Sequence, residues 1–576
     1  MLSLVLLHTW IASLVLVGAQ SLQSPVVNIP ELGTVQGSIT YTSWTNRTIY
    51  QFLAIPYAKS PTGNLRFQPP VKAPNWEGTL DASKPGIICP QSAGEYVNLL
   101  DEDCLTLSVY SNDLTTPRPV MVFIHGGWFF VGAASQYQPN FLLEADVVLV
   151  VIQYRLGPLG FLSTLSDEIP GNVGILDMIL ALEWVQNHIA SFGGNNQLVT
   201  IFGESAGSAG VSALLHTPLT QKRPEPLFHR AILQSGSVFS PWATCDTPID
   251  GAYDIARRLG CTDNLEQCLL QTSVQDLVEA FGSHRTNTII NQGYPNVAGT
   301  TLVVGGPSGL FPTHPSTLPV SSNISVMAGV TSQEGLFLLD EICSLQPEKL
   351  QSLNSSHDLL SFVRLLHEKF GQTKLDGALE GYAFSEHFLV SEIDQFKWKN
   401  IVLGLTDICG NHGIKGPVLV DTTALATANP GRVFLYSFDY PVDPSAELPL
   451  VIPFPYEGPV HHANDMYYLF SWSNLSTTET KIAQAMVQLW TSFAKTGVPT
   501  AEIVPNWSPV KNLFGPYLVI DENMEEKENF LNEFTATTNR YRTSLANGKN
   551  YSNVLTIIIV CLVFVFRSIR FINYRK

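Results

Sequence analysis

Apolar positions in the middle of the chain come in unbroken runs rather than one at a time. VMVFI (Val120–Ile124), DVVLVVIQY (Asp146–Tyr154) and LVTIF (Leu198–Phe202) are continuous and rich in β-branched residues. Such runs predict strands covered on both faces. Between them, ILDMILALEWVQNHI (Ile175–Ile189) repeats its apolar residues at helical spacing. Strand, helix and strand alternating through residues 116–210 predict βαβ units and a largely parallel sheet, an α/β fold. From about Pro241 to Val390 the pattern becomes more helical. A strand returns at Arg432–Phe438 and a long helix around Thr480–Lys495. No repeat, low-complexity tract or Pro/Ser/Gly linker divides the interior, so residues 20–545 are expected to form one large domain with insertions.

Both ends carry a different pattern. Residues 1–19, MLSLVLLHTWIASLVLVGA, are apolar and finish on Val17 and Ala19, the small-residue spacing of a signal-peptidase site. His8 stands in place of the usual positive start, and a buried N-terminal helix is the alternative. Val554–Phe566 is uncharged, and Arg567, Arg570, Arg575 and Lys576 follow. Thirteen residues reach about 20 Å, short of the ~30 Å hydrocarbon core. Snorkelling arginines extend the stretch to residues 551–572, a single membrane anchor with its basic tail to residue 576 in the cytosol. A glycolipid-anchor signal with small residues near Ser544–Gly548 is the rival, although such signals finish on the apolar tail. Sequons at Asn46, Asn323, Asn354, Asn474, Asn506 and Asn550 agree with a secretory route to the cell surface or beyond.

Composition narrows the function classes. The 576 residues carry a net charge of −17, with 45% apolar and 14% charged positions. That is too apolar for a disordered chain and too acidic for a nucleic-acid partner. Eight cysteines are too sparse for a disulfide-stapled module.

Candidate chemistry lies in two short motifs. Gly203-Glu204-Ser205-Ala206-Gly207 follows the Leu198–Phe202 strand and precedes a helix-competent stretch, the setting of a nucleophile elbow at Ser205. The glycines are expected to let the backbone turn sharply. A chemically silent Gly/Ser turn gives the same pentapeptide. His125-Gly126-Gly127 exits the Val120–Ile124 strand, where such loops supply oxyanion donors together with the N–H of Ala206. A tight strand-exit turn is the bland alternative.

With these motifs in place, the chain resembles the type-B carboxylesterase/cholinesterase family of the α/β-hydrolase fold. The resemblance spans about Val26 to Glu533. It rests on AIPYA (Ala54–Ala58), LRF (Leu65–Phe67), EDCLTLSVY (Glu102–Tyr110), YRLGPLGFLST (Tyr154–Thr164), FGG (Phe192–Gly194), VTIFGESAGS (Val199–Ser208), QSGS (Gln234–Ser237) and FAKTG (Phe493–Gly497). The resemblance, not spacing, supplies the remaining triad members. Glu334 in VMAGVTSQEG is the implied acid. His462 in GPVHHANDMYYLF is the implied base, with its neighbour His461 as the alternative. It also implies Cys89–Cys104 and Cys261–Cys268 disulfides, and leaves Cys245, Cys343 and Cys409 without assigned partners.

The implied reaction is carboxylic-ester hydrolysis through an acyl-Ser205 intermediate, on a small-molecule or lipid-like ester, with neither metal nor cofactor. Trp128 stands where the family places a glycine or another small residue whose N–H joins Gly126 and Gly127 in the oxyanion hole. Its bulk predicts a restricted acyl range. The Cys89–Cys104 loop lacks the Trp that grips choline in cholinesterases, which argues against acetylcholine. A catalytically silent adhesion or receptor ectodomain on the same fold is the reading from another class.

Overall fold

The computed structural model describes residues 24–92, 100–245, 247–292, 300–339, 398–441, 459–504, 506–512 and 514–537. The expected signal peptide, the 551–572 anchor, the domain end at 545, Cys343, Asn354 and Asn550 lie outside the described residues.

Eleven strands form one sheet. In chain order they are β1 (Ser38–Tyr41), β2 (Thr48–Pro56), β3 (Thr106–Ser111), β4 (Arg118–Ile124), β5 (Val148–Ile152), β6 (Gly194–Glu204), β7 (Arg230–Gln234), β8 (Ser325–Thr331), β9 (Val433–Phe438), β10 (Tyr517–Ile520) and β11 (Glu525–Lys527). Their spatial order is β11-β10-β9-β8-β7-β6-β4-β5-β3-β2-β1. The stretch from β10 to β5 is parallel throughout. β1, β2, β3 and β11 pair antiparallel at the two edges. This is the mostly parallel α/β sheet expected, with antiparallel margins that the pattern of the middle region did not announce. Those edge strands lack the unbroken apolar runs of the centre.

The runs are continuous because both faces are covered. On one face Val120, Val122, Ile124, Val199 and Ile201 pack with Ile175, Met178 and Leu182 of helix α1 (Val173–His188) and with Leu214 of α2 (Ala206–His216). On the other, Met121, Phe123, Leu149, Phe202 and Phe434 meet Met486, Leu489, Trp490 and Phe493 of a long C-terminal helix. Every residue of β5 is buried. At about 1.5–3 kcal/mol for each fully buried large side chain, this double cover is the main source of stability.

Two further helices, α3 (Trp398–Gly410) and α4 (Gly416–Ala428), are joined by a π-helical turn, Asn411–Lys415. The C-terminal helix already mentioned, α5 (Thr477–Thr496), starts on a capping box between Ser476 and Glu479. It stops at Gly497, which adopts φ 83°. Cys89–Cys104 and Cys261–Cys268 are disulfide-bonded. Cys245 and Cys409 are buried, and burial pushes the Cys409 thiol up to about 12. Among the described residues no helix is long and apolar enough to cross a membrane.

Candidate active site

Ser205 occupies the junction where β6 ends and α2 begins. Its backbone is held at φ 58°, ψ −123°, a conformation a non-glycine residue adopts only when its surroundings enforce it. The enforcement is visible: the Ser205 N–H donates to Gln234 O at 2.8 Å, and Ala209 N donates to Ser205 O at 2.9 Å. The α2 N-terminus behind it contributes a positive electrostatic end. The flanking glycines avoid side-chain clash at the sharp turn, as expected, without a left-handed conformation of their own. Neither Gly203 nor Gly207 uses a left-handed backbone. A Cβ on Gly203 would sit 2.5 Å from Gly207 C, and one on Gly207 only 2.0 Å from Ile124 O. They are required by crowding against each other and the end of β4.

The His125–Gly127 loop lies directly against this elbow. A Cβ at Gly126 would fall 3.0 Å from Ser205 Cβ and 2.8 Å from Glu204 Oε2. Gly127, at φ 103°, accepts from the amides of Phe130 and Val131. The amide N–H groups of Gly127, Trp128 and Ala206 enter none of the backbone–backbone bonds that tie the described loops together, while the Gly126 backbone bonds Tyr137. His125 is a structural ring: it stacks on Tyr154 at 4.5 Å, bonds Gly126 O through Nδ1, and is pushed down to about 4 by burial, so it is neutral.

Glu334 lies just past β8 and is fully buried. Its Oε1 accepts from Thr331 N at 2.7 Å, and its Oε2 meets His462 Nδ1 at 2.6 Å. Burial raises this carboxyl, but the His462 charge, its hydrogen bond and the Thr331 amide outweigh burial and hold it below its usual range. His461, the alternative base, is turned away: its Nδ1 bonds His462 O at 2.8 Å and its Nε2 faces Asn464.

The other nitrogen of His462 departs from the expected arrangement. Nε2 lies 3.1 Å from Glu204 Oε1, and among the described residues Ser205 Oγ forms no hydrogen bond. Burial pushes Glu204 up to about 8, helped by the Asp465 and Glu334 charges and opposed by His462. Burial acts to lower His462, but Glu204, Glu334 and Asp465 together raise it to about 9. Glu204 and His462 form a coupled pair that holds one proton more tightly than a free imidazole.

Several positioning residues escaped the sequence reading. Gln333 brackets the acid turn to the histidine loop: its N–H donates to Val460 O at 3.0 Å, and its Oε1 accepts from Val460 N at 2.5 Å. Buried Lys415, in the π-helical turn, donates to Ser332 O at 2.7 Å and also to Glu533 O. Asp465, raised to about 6 by burial, accepts from Gln234 Nε2 at 2.8 Å and Tyr436 OH at 3.0 Å. The only sequence signal was Asp465, three residues past His462.

Trp128 is buried and sits at φ 58°. Its ring packs edge-on against Trp242 at 5.4 Å and stacks with Phe337 at 5.6 Å, and Phe337 stacks on His462 at 5.0 Å. An aromatic wall therefore runs from the His125–Trp128 loop to the imidazole of His462. Among the described residues no group of His, Cys, Asp and Glu side chains is arranged to hold a metal.

The family model described as "Carboxylesterase family" matches residues 23–538. The chain is 32% identical over 551 residues to carboxylesterase 3B of Mus musculus, covering 89% of this chain and 90% of that one. It is 34% identical over 484 residues to acetylcholinesterase of Bungarus fasciatus, covering 78% and 75%. It is 30% identical over 531 residues to glutactin of Drosophila melanogaster. That match takes in 87% of this chain but spans only 50% of glutactin's length.

Proposed function

This chain belongs to the carboxylesterase family, and from that membership we propose that it hydrolyses carboxylic esters through an acyl-serine intermediate. Ser205 is the nucleophile, His462 the general base and Glu334 the carboxylate that fixes the imidazole tautomer. The supporting observation is the 2.6 Å pairing of Glu334 with His462 Nδ1, which turns Nε2 toward the Glu204–Ser205 elbow.

A serine hydroxyl is weakly nucleophilic until a base takes its proton. Bases of this kind often reach the nucleophile only once substrate is bound. In this mechanism Nε2 exchanges Glu204 for Ser205 Oγ as its partner when substrate binds. Attack on the ester carbonyl would place the developing oxyanion against the amides of Gly126, Gly127, Trp128 and Ala206. Each such donor is worth about 10²–10³ in rate. The His462 proton then passes to the leaving alcohol, and a water activated by the same ring releases the acid. Trp128 closes the acyl side, so short or flat acyl groups are favoured. The Cys89–Cys104 loop lacks an indole for a quaternary ammonium, so choline esters are poor substrates.

The disulfides suit the secretory pathway. We place the domain outside the cell, held by residues 551–572. The engagement of Nε2 by Glu204 favours a second reading, a domain of this fold that does not turn over esters. Labelling with a fluorophosphonate separates the two. Labelling of the wild type and not of Ser205→Ala supports the hydrolase; silence in both supports the second reading.

A further inference from the structure

Away from the triad, the surface carries an open cavity of about 420 Å³. It is lined by Trp44, Phe141, Trp472, Ser43, Ser473 and Asn474 among others, and no charged side chain belongs to the lining. Its walls are built in advance. Trp44 stacks on Phe141 at 4.9 Å, and its segment is held where Thr45 N donates to Glu144 Oε1 at 3.0 Å. Trp472 donates its indole N–H to Gln136 O at 2.7 Å and packs edge-on to Tyr467 at 5.2 Å. Two half-buried indoles are thereby held facing open space, beside serine hydroxyls and within the ~300–1,000 Å³ of ordinary ligand sites.

Asn474 opens the sequon Asn474-Leu475-Ser476 and is itself part of that lining. It is exposed, and its amide engages none of the described residues. Ser476, the third sequon residue, caps α5, which anchors the backbone two residues after the asparagine.

We propose that this cavity is the seat of an N-linked glycan carried by Asn474, whose first sugars lie on the Trp44 and Trp472 rings. In the covalent step the Asn474 amide nitrogen bonds to the sugar anomeric carbon and loses a proton. The bond from that carbon to the diphosphate of a polyprenyl-diphosphate oligosaccharide donor breaks, and the diphosphate leaves with the electron pair. The chemistry fits the site. A pyranose presents polarised C–H groups on a face and hydroxyls on its rim, matching the negative face of an indole and the serines around it. A charged ligand finds no counter-charge here. Because the sugar is tethered to the wall, its effective concentration is high and weak stacking is enough to hold it.

The test uses the full chain secreted from a eukaryotic host, with site occupancy read by glycopeptide mass spectrometry. Native protein is treated with peptide-N-glycosidase, and release at Asn474 is compared with release at exposed Asn323. The expected result is occupancy at Asn474 and release about tenfold slower than at Asn323. In Trp44→Ala the two rates converge. The comparison within the wild type needs no variant, so a failure of Trp44→Ala to fold leaves the test intact. An unmodified Asn474, or release at both sites at one rate, overturns the proposal. So does a cavity that takes up free chitobiose while Asn474 carries its own glycan.

Discussion

Replacing Glu204 with Gln removes a carboxylate 3.1 Å from the nitrogen that, in the proposed mechanism, accepts the Ser205 proton. The glutamate is among the groups that raise His462 to about 9 from an ordinary 6.5. An opposite charge at this range moves a pKa by about 1–3. A shift of about 2 is taken for the ionised Glu204, which burial itself raises to about 8. The base works only when neutral, so kcat/KM rises with pH through the His462 pKa. In Glu204→Gln that rising limb is expected to move about 2 pH units toward acid. The assay is a pH profile of kcat/KM on a short-acyl aryl ester, wild type against variant. Stability supplies an independent sign. His462 is raised in the fold, so its contribution is complete below 6.5 and is lost as pH climbs through about 9. Glu204, raised from 4.5 to about 8, loses its contribution in the same alkaline direction. The wild-type Tm should fall between pH 6.5 and 9, and the variant's should fall less. A limb that stays in place on substitution, together with parallel Tm curves, would refute the coupling.

Three further outcomes are expected. Trp128→Gly relieves a left-handed backbone but opens the aromatic wall; kcat/KM for branched acyl esters should rise at least about tenfold relative to acetate esters, and an unchanged ratio contradicts the wall's role. Gln333→Leu strips the buried Val460 amide of its acceptor, at about 1–3 kcal/mol. It should lower kcat by roughly 10–100-fold with little change in KM, and Gln333→Glu, which keeps the acceptor, should restore most of it. Loss of the Cys89–Cys104 bond through Cys89→Ser with Cys104→Ser, at a sequence separation of 15, should cost about 3 kcal/mol by denaturant titration.

The sequence displays the centre of this fold openly and hides its margins. Val148–Ile152 is legible because burial on both faces leaves no polar interruption, and Leu198–Phe202 is broken only by the buried Thr200. β1 and β2 are partly exposed and short on such runs, so nothing marked them. The strand expected over Asp146–Tyr154 narrows to Val148–Ile152. Gln153 leaves it to donate to Thr106 O, and Arg155 turns into a buried ion pair with Asp177 at 2.6 Å. Ser205 was legible locally, since strand, turn and helix are contiguous. Glu334 and His462 were not, because Gln333 and Val460, which create their meeting, lie 127 positions apart in the chain. The nearness of Glu204 to Nε2 is likewise tertiary, and no spacing rule encodes it.

Lys415 sets a practical boundary for anyone trimming the protein from its C-terminal side. Its ammonium reaches the acid turn at Ser332 on one side and Glu533 on the other, and Tyr517 OH in turn bonds the Glu533 carboxylate at 2.7 Å. A stop codon placed soon after β11 would spare every strand, yet strand a cation in the interior beside the hinge that carries Glu334. The segment Phe530–Thr535 is thus a keystone rather than a tail, and a shortened version should retain it through Thr537, whose amide rests on Asp407 at 3.0 Å.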